Sequence, residues 1–210
     1  MKKLTIAALL LLGTAPAVQA HEIWVERDGA GPARIYLGEP AETLPEGGDP
    51  EFEKLKAPRL VPGSTAALVR KAGYIEVAVP AGDVRVFDDS VFAPWGEEGK
   101  KEGVAYYARA GRSSTAAALP LEIVPVTANG SDFAVLRDGK PVPAAKITVI
   151  TPDKWSKSFV AGADGRVALT LREKGRYLLT TNQPEKGDLS VSGGKVATLH
   201  HIATTTFVVP

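Results

Sequence analysis

Residues 133–171 read FAVLRDGKPVPAAKITVITPDKWSKSFVAGADGRVALTL, and this stretch decides the fold class of the chain. Short runs rich in valine, isoleucine and phenylalanine alternate with turn dipeptides, which is typical of β-hairpins and not of helices. The turns are Asp138-Gly139 and Asp164-Gly165. The strands predicted around them are Phe133–Leu136, Ala145–Ile150, Phe159-Val160 and Val167–Leu171. The stretch therefore predicts two successive strand pairs.

The same pattern extends to both ends of the chain, and it predicts an all-β fold of two β-sandwich domains. The domains are predicted at residues 21–125 and 126–210, with a linker at Pro125–Gly130. The remaining predicted strands are Glu22–Glu26, Ala33–Leu37, Thr65–Arg70, Tyr74–Val79, Val84–Phe87, Val104–Ala108, Leu119–Val124, Tyr177–Thr181 and Ile202–Val209, with a short one near Val191.

One segment of the N-terminal half departs from this pattern. Gly38–Pro62 holds five prolines and one predicted short helix, at Glu51–Lys56. A loop of this length is unusual in a compact domain and often has a function. We therefore expect a long surface loop at residues 38–62 that carries functional residues.

The first twenty residues are typical of a cleavable signal peptide. Basic Lys2 and Lys3 precede a short apolar run at Leu4–Leu12, and a small-x-small motif ends at Ala20. The apolar run is shorter than the ~20 residues that a membrane span needs. We expect cleavage after Ala20, a mature protein that starts at His21, a periplasmic location and no membrane insertion after cleavage.

The composition narrows the classes of partner. The chain contains no cysteine, so it has neither disulfides nor the lipidated cysteine of a lipoprotein. It has 25 Lys+Arg against 24 Asp+Glu, and loss of Lys2 and Lys3 leaves 23 against 24, a net charge of −1. Nucleic-acid binding needs a basic surface, so this balance argues against such a partner.

The three histidines of the chain are its most informative feature, because one of them, His21, becomes the first residue after cleavage. Its amine and its ring Nδ1 can chelate one metal ion, and an imidazole from His201 or His200 would complete a histidine brace. Nitrogen ligands in this geometry favour copper, with nickel or cobalt next. His21 could instead be a solvated chain end. The adjacent His200 and His201 could be ordinary strand histidines, since successive strand side chains point to opposite faces.

Other donors and motifs give weaker signals. Glu22, Asp88, Asp89 and Tyr107 are oxygen donors that could join a metal site, although each could equally be a solvated charge or a core aromatic. The sequence has no nucleophile elbow, no His-Glu-x-x-His, no phosphate loop and no cysteine nucleophile. We therefore expect no catalytic residue and a protein that is not an enzyme.

Five segments of the chain resemble one known family: His21–Val25, Gly103–Arg109, Pro120–Pro125, Asp138–Val142 and His201–Pro210. The family that they resemble is a periplasmic one catalogued as domain of unknown function 4198, whose members are often labelled as nickel- or cobalt-uptake components of the NikM type. The resemblance implies two β-sandwich domains and a role near metal homeostasis, and it supplies no established catalytic residue. The second half is also similar to the prealbumin-like modules of carboxypeptidase regulatory domains, which are not catalytic.

These observations leave three hypotheses. The first is a periplasmic carrier or buffer for copper, or for nickel or cobalt, that holds the metal at His21 together with His201 or His200. The second is a non-catalytic envelope module that docks an outer-membrane receptor or a membrane transporter. The third, less favoured, is a copper-dependent polysaccharide oxidase, since such enzymes also begin with histidine on a β-sandwich.

Overall fold

The computed structural model describes residues 21–210, and the predicted signal peptide lies outside these residues. The prediction of an all-β fold of sandwich type is confirmed: apart from one 3-10 turn at Phe52–Lys54, all regular structure in this range is strand. The strands are β1 (Glu22–Arg27), β2 (Ala33–Gly38), β3 (Arg59–Leu60), β4 (Leu68–Arg70), β5 (Ile75–Val77), β6 (Val84–Asp88), β7 (Glu102–Ala110), β8 (Leu121–Pro125), β9 (Asp132–Arg137), β10 (Lys140–Pro141), β11 (Lys146–Ile150), β12 (Ser156–Val160), β13 (Arg166–Ala168), β14 (Gly175–Val191) and β15 (Gly194–Val209).

A seven-stranded sheet of order β12-β11-β14-β15-β7-β6-β3 forms the centre of the fold. Strand β7 from the first half pairs in parallel with β15 from the second half, so the sheet is continuous across both halves. The four-stranded sheet β1-β2-β5-β4 packs on one face. Strands β10-β9-β13, with β8 beside β9, cover the other face. The central sheet thus belongs to two sandwiches at once.

Strand β7 contributes side chains to the cores on both faces of the central sheet. Its side chains alternate between the faces, as strand geometry requires. Tyr106 packs into the core beneath β1 and β2, whereas Tyr107 packs into the core beneath β8 and β9. The threonines of β15 alternate in the same way: Thr204 donates to the Ile23 carbonyl of β1 (2.8 Å), and Thr205 donates to the Ile123 carbonyl of β8 (2.7 Å).

Strand β8 joins the C-terminal sheet although it precedes the predicted linker. It pairs along its whole length with β9. A buried ionic network also fixes it: Glu122 of β8 accepts from Arg109 of β7 (2.8 Å) and from Arg85 of β6 (2.7 Å), and the other oxygen of Glu122 accepts from two backbone amides. Because each of these buried charges has partners, the network positions β8 precisely on the sheet. The division into two domains at residue 125 stays a prediction.

The last two strands are much longer than the sequence pattern predicts, since β14 and β15 form a hairpin of 17 and 16 residues. Sequence periodicity identifies only the apolar ends of this hairpin, because Glu185–Asp188 is polar and partly exposed. Pairing between the strands and with β7 extends them. His200 and His201 consequently lie within β15 and not just before it.

The proline-rich segment is packed against the body of the protein. The predicted helix is the single 3-10 turn at Phe52–Lys54, and the buried side chains of Phe52 and Leu55 anchor it in the N-terminal core. Arg70 donates to the carbonyls of both residues, at 2.8 and 2.6 Å. Four residues before this turn, a Cβ on Gly48 would lie 2.2 Å from the backbone of Gly73, so this contact requires glycine.

Among residues 21–210, no helix is both long and apolar enough to span a bilayer.

Candidate metal centre

His21 is held firmly where β1 begins. Tyr106 of β7 donates a hydrogen bond from its hydroxyl to the His21 carbonyl oxygen (2.8 Å). The edge of the imidazole faces the Phe92 ring, with 6.2 Å between ring centroids, and the His21 side chain is 24% exposed. The residue is therefore anchored through its backbone and its ring, unlike a frayed chain end.

Two carboxylates from the proline-rich loop approach the His21 ring. Asp49 Oδ1 lies 3.1 Å from Nε2, and Glu51 Oε2 lies 3.9 Å from Nδ1. An ionised carboxylate can only accept hydrogen bonds, so Nε2 must carry the proton that it shares with Asp49. In the neutral ring, Nδ1 is then the nitrogen with a free lone pair.

The local fold of the loop fixes the two carboxylates. Asp49 Oδ1 also accepts from the Glu51 backbone amide (2.7 Å), and the Asp49 carbonyl accepts from the Phe52 amide (3.0 Å). This is the Asx-turn geometry that aspartate favours before a helical turn. The buried Phe52 side chain ties the turn to the core, so Asp49 and Glu51 are presented to His21 by packed structure.

Two further carboxylates are buried close to this region. Glu22 Oε2 and Asp88 Oδ2 have no hydrogen-bond partner among the described residues. Burial raises the pKa of Glu22 to about 7, although a hydrogen bond with Thr180 opposes this. Burial also raises the pKa of Tyr106, and the nearby Glu22, Glu51 and Asp88 carboxylates add to the rise. A cation in this region would reduce the cost of burying these negative charges.

His201 lies on the opposite face of the central sheet and is buried. Its Nδ1 is 3.0 Å from the Tyr107 hydroxyl. Glu185 Oε2 and an Arg137 guanidinium nitrogen approach its Nε2, at 3.0 and 2.8 Å. Burial, followed by the positive charge of Arg137, lowers the pKa of His201. Both ring nitrogens therefore have partners within the protein.

His200 forms a third, separate group near the surface. Its Nε2 lies 2.7 Å from Glu102 Oε2, and its ring stacks on Trp95 with 6.1 Å between centroids. Asn182 approaches its other nitrogen at 3.4 Å. The stacking and the hydrogen bonds give this partly exposed histidine, whose side chain is 26% exposed, an ordinary structural environment.

The three predicted ligands are thus not brought together. No hydrogen bond or ring contact joins His21 to His200 or His201 in the described residues. Within residues 21–210, no three histidine, cysteine, aspartate or glutamate side chains come close enough to hold a metal ion. Of the oxygen donors considered, Tyr107 bonds His201, and Asp89 accepts from Arg59 and Ser192.

Sequence reasoning missed the residues that do contact His21. The proline-rich loop was predicted to be functional, but Asp49 and Glu51 within it were not singled out, and Tyr106 was not considered. The separation of 28 residues between His21 and Asp49 carries no local signal. Only the unusual length and proline content of the loop pointed toward them.

Comparisons with known proteins leave the chain without an assigned relative: it matches no protein-family model, no curated protein and no solved structure. The resemblance to the nickel- and cobalt-uptake family therefore stays a prediction from the sequence motifs.

Proposed function

We propose that the protein, after removal of its first twenty residues, binds a transition-metal ion at its N-terminal histidine and acts as a periplasmic carrier or buffer, with copper as the first candidate and nickel or cobalt next. The observation that carries this proposal is the hydrogen bond between His21 Nε2 and Asp49, because in a neutral ring this tautomer leaves the lone pair on Nδ1. Nδ1 is the ring nitrogen that can close a chelate with the amine of the same residue.

Asp49 has the position of a carboxylate that orients a metal-binding histidine. Such histidines usually donate their second ring N–H to a carboxylate or a carbonyl, which fixes the tautomer and the ring orientation. The Tyr106 hydrogen bond to the His21 carbonyl fixes the backbone in the same way. The chelating residue is therefore held in place before any metal arrives.

Glu51 is the candidate for an additional ligand. Its Oε2 lies 3.9 Å from His21 Nδ1. Metal–nitrogen and metal–oxygen bonds are each ~2 Å long, so one ion can bridge two atoms at this separation. The amine, the imidazole and this carboxylate give a mixed nitrogen and oxygen ligand set, which suits Cu(II) and Ni(II) better than Mg(II).

In this arrangement His200 and His201 are not ligands, which revises the brace expected from the sequence. His201 already has partners at both nitrogens. The carrier function is favoured over an oxidase because the His21 side chain is only 24% exposed and is covered by the loop, which leaves little open face for a polymer. The periplasmic location rests on residues 1–20 alone.

The test is copper affinity, measured by competition titration on protein whose N-terminus at His21 has been verified by mass spectrometry. A matched protein with one glycine added ahead of His21 keeps the imidazole but displaces the amine. We expect the addition to weaken copper binding about a hundredfold, because the chelate ring is lost. Equal affinities would contradict the proposal.

A second pair of variants tests the orienting carboxylate. Asp49→Ala should weaken copper binding about tenfold, the usual effect of removing a partner behind a metal ligand. Asp164→Ala is the control, because Asp164 is exposed and lies in the turn before β13, on the opposite side of the central sheet from His21. An equal effect of the two substitutions would show that Asp49 has no specific role.

A further inference from the structure

A cavity of about 460 Å³ opens at the opposite end of β1 from His21. The C-terminal ends of β1, β7 and β15 and the first residues of β14 surround it. Its volume is within the range of small-molecule sites. Phe207, Val208 and Ala110 give it an apolar part, and Val208 is 45% exposed.

Arg112 lines this cavity and lacks an acidic partner. Its guanidinium lies over the Phe207 ring, 4.6 Å from the centroid, and donates one hydrogen bond to the Gly130 carbonyl (2.7 Å). No carboxylate lies within 4 Å of it in residues 21–210, although most arginines of this chain are paired. Burial lowers the pKa of Arg112. The stacked guanidinium keeps unused N–H groups for a planar, bidentate acceptor.

A second arginine adds uncompensated positive charge. Arg27 is 8% exposed and donates all of its hydrogen bonds to backbone carbonyls, among them those of Gly31 (2.8 Å), Pro80 (2.7 Å) and Gly82 (2.8 Å). Carbonyl oxygens solvate the guanidinium but do not cancel its charge. A buried charge without a counter-ion keeps the local potential positive.

The other charged groups of the cavity are already paired. Arg176 binds Glu26 and Asp28, and Asp83 binds Arg109 and two serine backbone amides. Among the side chains of the lining, Arg27 and Arg112 are therefore the two positive charges that have no side-chain carboxylate within 4 Å in residues 21–210.

We propose that this cavity binds a small organic carboxylate, with the carboxylate on the Arg112 guanidinium and the apolar part of the ligand against Phe207 and Val208. The planar fork of arginine matches the two oxygens of a carboxylate. The exposed side chain of Asn129, which also lines the cavity, supplies a further donor at its rim. This site is separate from His21 and does not depend on metal binding.

Benzoate is the probe, followed by backbone-amide NMR shifts of the processed protein at constant ionic strength, with the neutral isostere benzamide and inorganic phosphate as comparisons. We expect saturable shifts at residues around the cavity with benzoate. Arg112→Gln should weaken benzoate binding about tenfold, since charge-assisted hydrogen bonds are lost. Arg172→Gln is the matched control, because Arg172 is exposed and belongs to another surface.

A further variant keeps the test informative if Arg112→Gln perturbs the fold. Asn129 has a φ of 59°, which aspartate also tolerates, so Asn129→Asp adds a negative charge at the rim without disturbing the core. It should weaken benzoate binding about tenfold as well, by charge repulsion and by competition for Arg112. Unchanged binding in both variants, equal binding of benzamide, or phosphate binding as tight as that of benzoate would overturn the proposal.

Discussion

His21 and His201 lie on opposite faces of β7, next to consecutive tyrosines, and they differ in what their ring nitrogens contact. The His21 ring donates through Nε2 to Asp49, and its Nδ1 has no hydrogen-bond partner in the described residues. The His201 ring has Tyr107 at one nitrogen and Glu185 with Arg137 at the other. The first histidine keeps a lone pair for a ligand, whereas the second has its hydrogen bonds completed by the protein.

A buried histidine with several polar neighbours is not automatically the better metal ligand. His201 has more partners and is less exposed than His21, 9% against 24% for the side chains. A metal at His201 would have to displace hydrogen bonds that the fold already makes, which would leave buried groups without partners. A metal at His21 would displace no bond at Nδ1.

The largest difference between the two residues is expected in metal affinity. His21→Ala should weaken copper binding about a hundredfold or more, because the chelating imidazole is removed. His201→Ala should leave copper affinity unchanged. Competition titration on verified N-termini measures both variants. If His201→Ala weakens copper binding as strongly as His21→Ala does, His201 is a ligand and the contrast is wrong.

The next largest difference is expected in the free energy of unfolding, and here His201 should matter more than His21. His201→Ala should lower the free energy of unfolding by about 2 kcal/mol, because it removes a buried ring and leaves the Tyr107 hydroxyl without its partner. His200→Ala is the matched control from the same strand. Its partner Glu102 is 43% exposed, so we expect a change of about 0.5 kcal/mol or less. Urea unfolding curves of the metal-free proteins provide the comparison. Equal losses would mean that the polar contacts of His201 contribute no special stability.

The sequence predicted the fold class well because that information is local. Alternating side chains place β9, β11 and β13 where the pattern indicates. The two predicted strand pairs are wrong, because Asp138-Gly139 joins β9 to the short β10, β11 pairs with β12 and β14, and β13 pairs with β9. The parallel pairing of β7 with β15 has no local signal, since Tyr106 and its partner Ile202 are nearly a hundred residues apart. Two sandwiches that share a central sheet therefore could not be derived from periodicity.

The candidate site was predictable only in part for the same reason. The cleavage predicted after Ala20 singles out His21, and this prediction uses the sequence alone. Which residues reach its ring depends on how the proline-rich loop folds back, and the burial of Phe52 and Leu55 decides that. Strand alternation predicts that His200 and His201 point to opposite faces, and the two rings do lie in different environments. Neither of those environments includes His21.

The smallest expected effect is a pH dependence of stability that belongs to the His201 side alone. Burial, together with Arg137, holds the pKa of His201 below its ordinary value, and Glu185 and Asp138 only partly oppose this. The unfolded chain therefore takes up a proton on this residue at a higher pH than the folded protein does. The contribution of His201 to the free energy of unfolding is complete above the unfolded pKa of about 6.5. It falls as the pH decreases toward the folded pKa of this residue.

The titration of Glu185 makes the stability of the protein decrease further at lower pH. Burial alone would raise the pKa of Glu185, but the hydrogen bond with His201 and the charge of Arg137 outweigh it and lower the pKa. The contribution of Glu185 to the free energy of unfolding is therefore present above its unfolded pKa, and it is lost as the pH falls below that value. We expect the thermal midpoint of the metal-free protein to fall between pH 7 and pH 5, and to fall less in His201→Gln, which cannot titrate. His200→Gln controls for the loss of a histidine as such. A pH profile of His201→Gln that matches the native protein would show that the partners of His201 do not favour its neutral form, and the distinction from His21 would then rest on geometry alone.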